Sequence, residues 1–361
     1  MKKILIIYAT AGAGHKVAGL ALYERLKESS DLDVSCIDSL DYTSSFQKYL
    51  YSGTYTFLIS RAPAVWGFFF HTLDLKILRP LTRLLRRGYN RLTAGRLHRF
   101  LREEQFDVVF STHFMATEIV SALKRKKQIS SKLVTVVTDF DVHSFWATPE
   151  TDHFAVASEW TQRKLISLGI PPEKCRVTGI PTLRKFSENK DAAALKARLN
   201  LELGVFTVLI ATGSFGIGPI EEIAGKLEGF QVMVVCGHNR KLYDHLSRLQ
   251  KGLVKIYGLV NNMDELMAVS DFMITKPGGL SISEALVSGL PMMFFNAIPG
   301  QEKGNVEVLK TYGVGVSGCP VDQMAEMLKE YRDNPRRLQD AKENARRLAR
   351  PRAAEDLREF I

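Results

Sequence analysis

Short runs of apolar, often β-branched residues alternate along this chain with segments whose apolar positions recur every three or four residues. The runs at 4–8, 33–37, 108–111, 133–137 and 153–157 read as one series of strands. A second series follows at 205–211, 231–235, 254–257, 272–275 and 292–294. Within each run the apolar character is continuous rather than alternating, so both faces of each strand need cover. Helical patterns between the runs supply it, which predicts an α/β chain with two largely parallel sheets. The pattern changes at 181–203, where a charged stretch (184–190) precedes a short helical piece (191–199). The expected organisation is a Rossmann-like domain over 1–186, a linker over 187–204 and a second Rossmann-like domain over 205–335. Further helical patterns at 321–331 and 336–360 are bounded or broken by Pro335 and Pro351, and the segment 336–361 is expected to pack back on the first domain. No repeat of fixed period appears.

Composition agrees with two globular domains: 361 residues, 45% hydrophobic and 24% charged. Charge adds a distinction that hydropathy does not. Residues 1–180 carry 25 Lys/Arg against 17 Asp/Glu, whereas 181–361 carry 24 against 22. The excess points to an anionic partner for the first domain. Cys36, Cys175, Cys236 and Cys319 form no CxxC pair, so a zinc site or disulfide framework is not expected and reduced thiols are. Residues 1–13 imitate a short signal peptide, but the strand-length run at 4–8 and the glycine turn after it read as the first strand of a domain. Arg61 and Pro63 interrupt the apolar stretch at 57–73, so no membrane-spanning helix is expected there.

Three glycine-rich turns follow strands. The first, Thr10-Ala11-Gly12-Ala13-Gly14-His15, opens a helix and sets an imidazole at the carboxyl end of a strand, where open α/β sheets bind ligands. His15 there could take a proton from an acceptor hydroxyl; a locally bonded helix-start histidine is the plainer alternative. The turn is not GxGxxG, and only Asp38 stands near the usual ribose position. The second turn contains Gly213, Ser214, Phe215 and Gly216, whose amides could cradle a diphosphate. It lacks the Lys-Ser/Thr ending of a Walker loop, which disfavours ATP hydrolysis. The third contains Lys276, Gly278, Gly279, Leu280, Ser281 and Glu284. Ser281 and Glu284 are spaced as a capping box, and a carboxylate in the first turn of such a helix can also accept both hydroxyls of a ribose. Further on, Gln301 and Glu302 lie beside a turn and suit sugar hydroxyls.

Two other regions carry candidate chemistry. Asp139 and His143, after the strand at 133–137, could form an acid–base or orienting pair, and Trp146 offers a platform for a sugar ring or acyl chain. A structural Asp–His hydrogen bond explains the pair equally, and without a further ligand cluster no metal site is expected. From Lys76 to Arg102 there are nine basic residues and no acidic ones, among them Arg79, Arg83, Arg86 and Arg87. Leucines recur between them at helical spacing, and Trp66, Phe68, Phe69 and Phe70 stand just upstream. A basic amphipathic helix beside aromatic wedges reads as a surface that lies on anionic lipid. An apolar stripe turned into the core, or an RNA-binding face, are the alternatives. No RNP-type aromatic pattern accompanies the charge, and no nucleic-acid partner is expected.

In order and spacing these blocks resemble the processive diacylglycerol glucosyltransferases and plant-type monogalactosyldiacylglycerol synthases, relatives of the peptidoglycan lipid-linked GlcNAc transferase. The resemblance spans about 4–315 and rests on Gly-Ala-Gly-His at 12–15, Val-Thr-Asp-Phe at 137–140 with His143 and Trp146, and Val-Thr-Gly-Ile-Pro at 177–181. It continues through Gly-Leu-Val-Asn-Asn-Met-Asp-Glu-Leu at 258–266, Thr-Lys-Pro-Gly-Gly at 275–279 and Pro-Gly-Gln-Glu-Lys at 299–303. Ala13 stands where plant members usually carry glycine, and Ser214-Phe215 depart from the commoner loop.

The resemblance implies a GT-B fold, two Rossmann-like domains facing across a cleft, with acceptor and membrane contact in the first and nucleotide-sugar in the second. It implies an inverting transfer from UDP-hexose to diacylglycerol, with glucose preferred over galactose, no metal and no cofactor. The protein would be peripheral, at the cytoplasmic face of an anionic phospholipid membrane. His15 is then the first choice of base and Asp139 the second. Glu284 would hold the ribose, the backbone at Leu259 and Val260 the uracil, and Gln301 and Glu302 the hexose. Gly14, His143 and Trp146 fall on the acceptor side, and Trp66, Phe68, Phe69, Arg79, Arg83, Arg86 and Arg87 on the membrane side. Two rival readings fit the same fold: a non-hydrolysing UDP-GlcNAc 2-epimerase, and a non-enzymatic membrane-bound sensor of UDP-sugars.

Overall fold

A computed structural model describes residues 1–10, 12–44, 53, 62–249, 252–295 and 300–361. The chain forms two compact units, one of Met1–Leu183, Ile298–Asn305 and Arg350–Ile361, the other of Arg184–Ala297 and Val306–Ala349. The first change of unit thus falls at Leu183/Arg184, residues 336–349 count with the second unit, and the last twelve return to the first.

The first unit is built on β1 (Lys2–Tyr8), β2 (Leu32–Asp38), β3 (Val108–Ser111), β4 (Lys132–Val136), β5 (His153–Val156) and β6 (Cys175–Val177), in spatial order β2-β1-β3-β4-β5-β6. Every pairing is parallel. Strand pleating sends successive side chains to opposite faces, and two cores result. Leu5, Ile7, Val109 and Leu133 face one; Ile4, Ile6, Val108, Phe110, Val134 and Val136 face the other. That double burial is why Ile4 to Ile7 read as an unbroken apolar run.

The second unit repeats the plan with β7 (Thr207–Ala211), β8 (Gln231–Val235), β9 (Val254–Tyr257), β10 (Phe272–Thr275), β11 (Met292–Phe294) and β12 (Val316–Ser317), ordered β12-β11-β10-β7-β8-β9 and all parallel. Two Rossmann-like units, each with an all-parallel sheet, are the α/β architecture expected from the sequence. In both sheets the chain leaves a central strand in one direction and later returns to build outward in the other. The reversal lies between β1 and β3 in the first sheet and between β7 and β10 in the second. At such a point the loops on the carboxyl ends of the two strands part and leave a crevice.

The sequence reading misses β6 and β12, edge strands of three and two residues, too short to show a period. It also draws one basic helix where there are two, Arg79–Thr93 and Gly95–Glu104. The second buries Leu97 and Leu101 in the core, so Arg96, Arg99 and Arg102 belong to an ordinary core-packed helix. The C-terminal pattern resolves into Pro335–Leu348, Ala353–Asp356 and a final 3-10 turn Leu357–Phe360, divided around Pro351.

Candidate functional site

In the first unit the candidate residues gather at the switch point. The helix Ala13–Lys27 starts behind Gly12, with no side chain capping its first amides. Asp38 serves the turn before it: its carboxylate accepts the Thr10 hydroxyl at 2.5 Å and the Leu40 amide at 2.9 Å. Those bonds occupy the carboxylate, and the ribose role weighed for Asp38 gives way to a structural one.

His15 stands in the first turn of that helix. Its Nδ1 lies 2.8 Å from the Thr112 carbonyl, which only accepts, so the proton sits on Nδ1 and Nε2 carries the basic lone pair. The Thr138 hydroxyl is 2.7 Å from the same nitrogen, and the Thr112 hydroxyl donates to the His15 carbonyl at 2.8 Å. Although part of the residue remains exposed, desolvation of the ring brings its pKa down to about 4, against a smaller upward push from the Thr112 hydrogen bond. The imidazole is therefore neutral near pH 7, as a base must be.

His113, absent from the sequence reading, packs edge-on to His15 with ring centres 4.6 Å apart. Its Nδ1 accepts from the Met115 amide and caps the helix Phe114–Arg125. Burial, and secondarily His15, hold its pKa well below the ordinary value, so no permanent cation stands beside the His15 ring. The signal that would have found it is Ser111-Thr112-His113, standing to β3 as the quoted motifs stand to β1 and β4.

Asp139 is buried three residues past β4. The turn that follows it is pinned: the Asn305 side-chain oxygen accepts the amides of Phe140 and Asp141, both at 2.9 Å, and the Thr161 hydroxyl donates to the Phe140 carbonyl at 2.7 Å. Glu302 belongs to this first unit, although the sequence reading assigns it to the donor domain. The side chain of Gln301 lies outside the described residues, as do those of Trp66 and Phe69.

Trp146 is 2% exposed and packs among Val137, Val142 and Phe154, with its ring centre 6.3 Å from that of His15. It is a wall behind the His15 ring, and the open platform expected of it is not there. His143 is likewise buried; its Nδ1 accepts the Phe145 amide, and its Nε2 is 3.9 Å from Asp74.

The basic helix Arg79–Thr93 reverses the usual polarity. Thr82 and Asn90, spaced for one face, are buried. Leu81, Leu84, Leu85 and Tyr89 are exposed, as are Phe68, Leu75 and Ile77 just before the helix. The alternative in which the apolar stripe enters the core is thereby excluded. Arg79 is drawn back to Asp74, while Arg86 turns inward onto Glu118.

In the second unit the glycine loop after β7 is clamped by the loop after β8. His238 donates its amide to the Ser214 carbonyl at 2.8 Å, and the Asn239 side chain donates to the Gly216 carbonyl at 3.0 Å. Gly216 has φ +56, and a Cβ there would collide with the Cys236 carbonyl, so only glycine lets the two loops close. Phe215 is left half-exposed.

After β10, the helix Gly279–Val287 is capped by the backbone of Gly278 without a side-chain bond. The capping box expected of Ser281 and Glu284 does not form, because the N-cap is Gly278, three residues earlier; the amides of Gly279, Leu280 and Ser281 remain available to an anion. Glu284 consequently sits in the second turn, 9% exposed. Burial raises its pKa to about 8, opposed by Lys185 and reinforced by Asp264. Lys185 also donates to the Asn261 carbonyl at 2.5 Å and pairs with buried Asp264 at 3.1 Å, tying down the loop that holds Leu259 and Val260. Leu259 is exposed, Val260 and Lys276 half-buried. Among the described residues no group of three or more His, Cys, Asp or Glu gathers as a metal site.

Comparison with known proteins covers both halves. The family described as monogalactosyldiacylglycerol (MGDG) synthase matches residues 15–182, and the glycosyltransferase family 28 C-terminal domain matches 207–357. The crystal structure of Acinetobacter baumannii MurG superposes with a TM-score of 0.63 at 15% identity, covering 100% of this chain and 99% of that one. A structure described as a putative UDP-N-acetylglucosamine 2-epimerase from Listeria monocytogenes gives 0.61 at 14%, covering 99% and 95%. At such identities both show the fold alone. A curated relative from Bacillus cereus (strain ATCC 14579), named processive diacylglycerol beta-glucosyltransferase, is 30% identical over 325 residues, 87% of this chain and 81% of its own. With a relative that close matched over most of both lengths, the chain belongs to the family of processive diacylglycerol β-glucosyltransferases.

Proposed function

We propose that this protein transfers a hexose, glucose in preference to galactose, from UDP-hexose to diacylglycerol at an anionic membrane surface, with inversion and without a metal. The observation that carries the reading is His15: a neutral imidazole whose tautomer is fixed by the Thr112 carbonyl and whose Nε2 is the free base. In the proposed step Nε2 takes the proton of the acceptor hydroxyl as its oxygen attacks the anomeric carbon. The bond from that carbon to the diphosphate oxygen breaks, and UDP leaves with the electron pair. A single displacement of this kind inverts the anomeric centre. Free amides at the start of Gly279–Val287 would meet the charge growing on the diphosphate; in the other glycine loop the Gly216 amide is already taken by the Gly213 carbonyl at 3.3 Å. The buried carboxyl of Glu284 would accept the ribose hydroxyls.

The lipid part of the reading is supported by the helix Arg79–Thr93, which presents leucines and arginines together. Exposed leucines entering the acyl boundary between Arg83 and Arg87 at the headgroups are the arrangement of an interfacial helix. No helix among the described residues is long and apolar enough to cross a membrane.

The deciding experiment supplies UDP-glucose or UDP-galactose separately to the protein on vesicles of diacylglycerol and anionic phospholipid, with EDTA present, and separates the lipids. A new glycolipid from one donor is expected, and its anomeric configuration and the number of bands report inversion and processivity. UDP binding without glycolipid from either donor would replace this reading with the sensor. Conversion of UDP-GlcNAc in the absence of lipid would replace it with the epimerase.

A further inference from the structure

One arginine of the basic helix does not share the setting of the others. The Arg86 guanidinium lies 3.9 Å over the Phe145 ring, and its Nη2 is 3.6 Å from Glu118. Its Nε and Nη1 are buried without a hydrogen bond, so the group has given up water largely for the stack and the carboxylate. Desolvation lowers its pKa and Glu118 opposes the shift. Glu118 is itself buried and accepts from the Asn90 side chain at 3.1 Å, one helical turn beyond Arg86.

Phe145 is the middle residue of the 3-10 turn Ser144–Trp146. Its ring is edge-on to His143 at 4.1 Å and 5.6 Å from Phe114. Phe114 stacks on His113 at 4.4 Å and meets Trp146 at 6.0 Å, and both His113 and Trp146 flank His15. The same turn is gripped from another side, because the Ser144 amide donates to Asp74 at 3.0 Å and Asp74 also holds Arg79.

We infer that Arg86 is a positioning residue for the transfer step: its guanidinium, flat against Phe145, fixes the turn Ser144–Trp146 and through Trp146 and Phe114 the surroundings of His15. Arg83 and Arg87 are assigned to lipid in the reading above; Arg86 turns inward to Glu118 and Phe145. A guanidinium suits this place because it stacks through a planar face while its edge pairs with a carboxylate. Lysine would keep the charge and lose the plane. The kinetic part of the inference rests on the glycolipid reading above; the structural part does not.

The test uses full-length Arg86→Lys, Phe145→Leu and the double variant. Vesicle co-sedimentation and steady-state kinetics are measured on each, and Trp146 fluorescence in a Trp66→Phe/Trp160→Phe background. Each single variant is expected to lower kcat about tenfold, in the manner of a slightly misplaced reacting group. KM for UDP-hexose and vesicle binding should hold. Trp146 emission should move to longer wavelength, and the double variant should be no worse than either single. Loss of vesicle binding in Arg86→Lys with unchanged Trp146 emission would make Arg86 a lipid contact and overturn the inference, as would fully additive losses in the double variant. If the unsubstituted protein makes no glycolipid, the functional reading falls and Trp146 emission alone judges Arg86: a red shift supports it, and none refutes it.

Discussion

At the scale of single residues, neutrality of two desolvated groups, His15 and Glu284, sets what can be tested. As the proposed base, His15 can act only when unprotonated, so activity present at neutral pH should be lost as pH falls through its lowered pKa of about 4. The expected acid limb of kcat/KM lies well below 6.5, and a limb at 6.5 would mean the imidazole is not desolvated in the working enzyme. Replacing His15 with Ala should cost roughly 10²–10⁴ in kcat, with UDP affinity, measured by calorimetry, preserved; equal loss of both would remove its role. Glu284 runs the other way. Its pKa is near 8 in the fold and near 4.5 unfolded, so between those values only the unfolded chain releases the proton and stability falls as pH rises. Glu284→Gln removes that dependence. Thermal melts should show the variant gaining on the native protein from about pH 5 to 8, by roughly a few kcal/mol, while its UDP affinity drops by about tenfold or more. Parallel melting curves would show that the carboxyl is not held protonated. The sequence pointed to His15 and Glu284 through their turns. It did not reveal Thr112, His113 or Lys185, because what recruits them is proximity across strands and loops distant in the chain.

Elements tell a similar story of period and its limits. Ten strands were legible because sheets covered on both faces need unbroken apolar runs, and β6 and β12 were not because two or three residues have no period. The basic stretch 76–102 showed helical spacing, yet spacing cannot say which face meets the core. The fold decides it: Thr82 is buried, Arg86 and Asn90 go inward to Glu118, Arg86 also to Phe145, and the leucines go out. If the outward face lies on lipid, Arg83→Gln/Arg87→Gln should weaken co-sedimentation with anionic vesicles. At about 1 kcal/mol for each charge near the surface, the loss is roughly thirtyfold, and added salt should shrink the difference. Equal binding of native and doubly substituted protein to anionic vesicles would count against this face.

At the scale of the whole molecule, the chain closes its first unit with its last residues. Leu357 is fully buried and Phe360 nearly so in the core that holds Ile4, Ile6 and Phe110. Lys132 and Lys2 also donate to the carbonyls of Phe360 and Ile361. Leu357→Ala should therefore destabilise the first unit by about 2–5 kcal/mol, seen as an earlier unfolding step in calorimetry; an unchanged first step would show that the tail is dispensable. By itself the sequence determined two parallel α/β layers, the three strand–glycine–helix turns and the family, because each is written in local period, turn chemistry or motif order. The tertiary structure alone decided the helix polarity, the protonation of His15 and Glu284, the burial of Trp146 and the limit of the C-terminal return, which begins at Arg350 while residues 336–349 stay with the second unit. Those depend on which groups lose water and which strands adjoin, and neither is a property of neighbours along the chain.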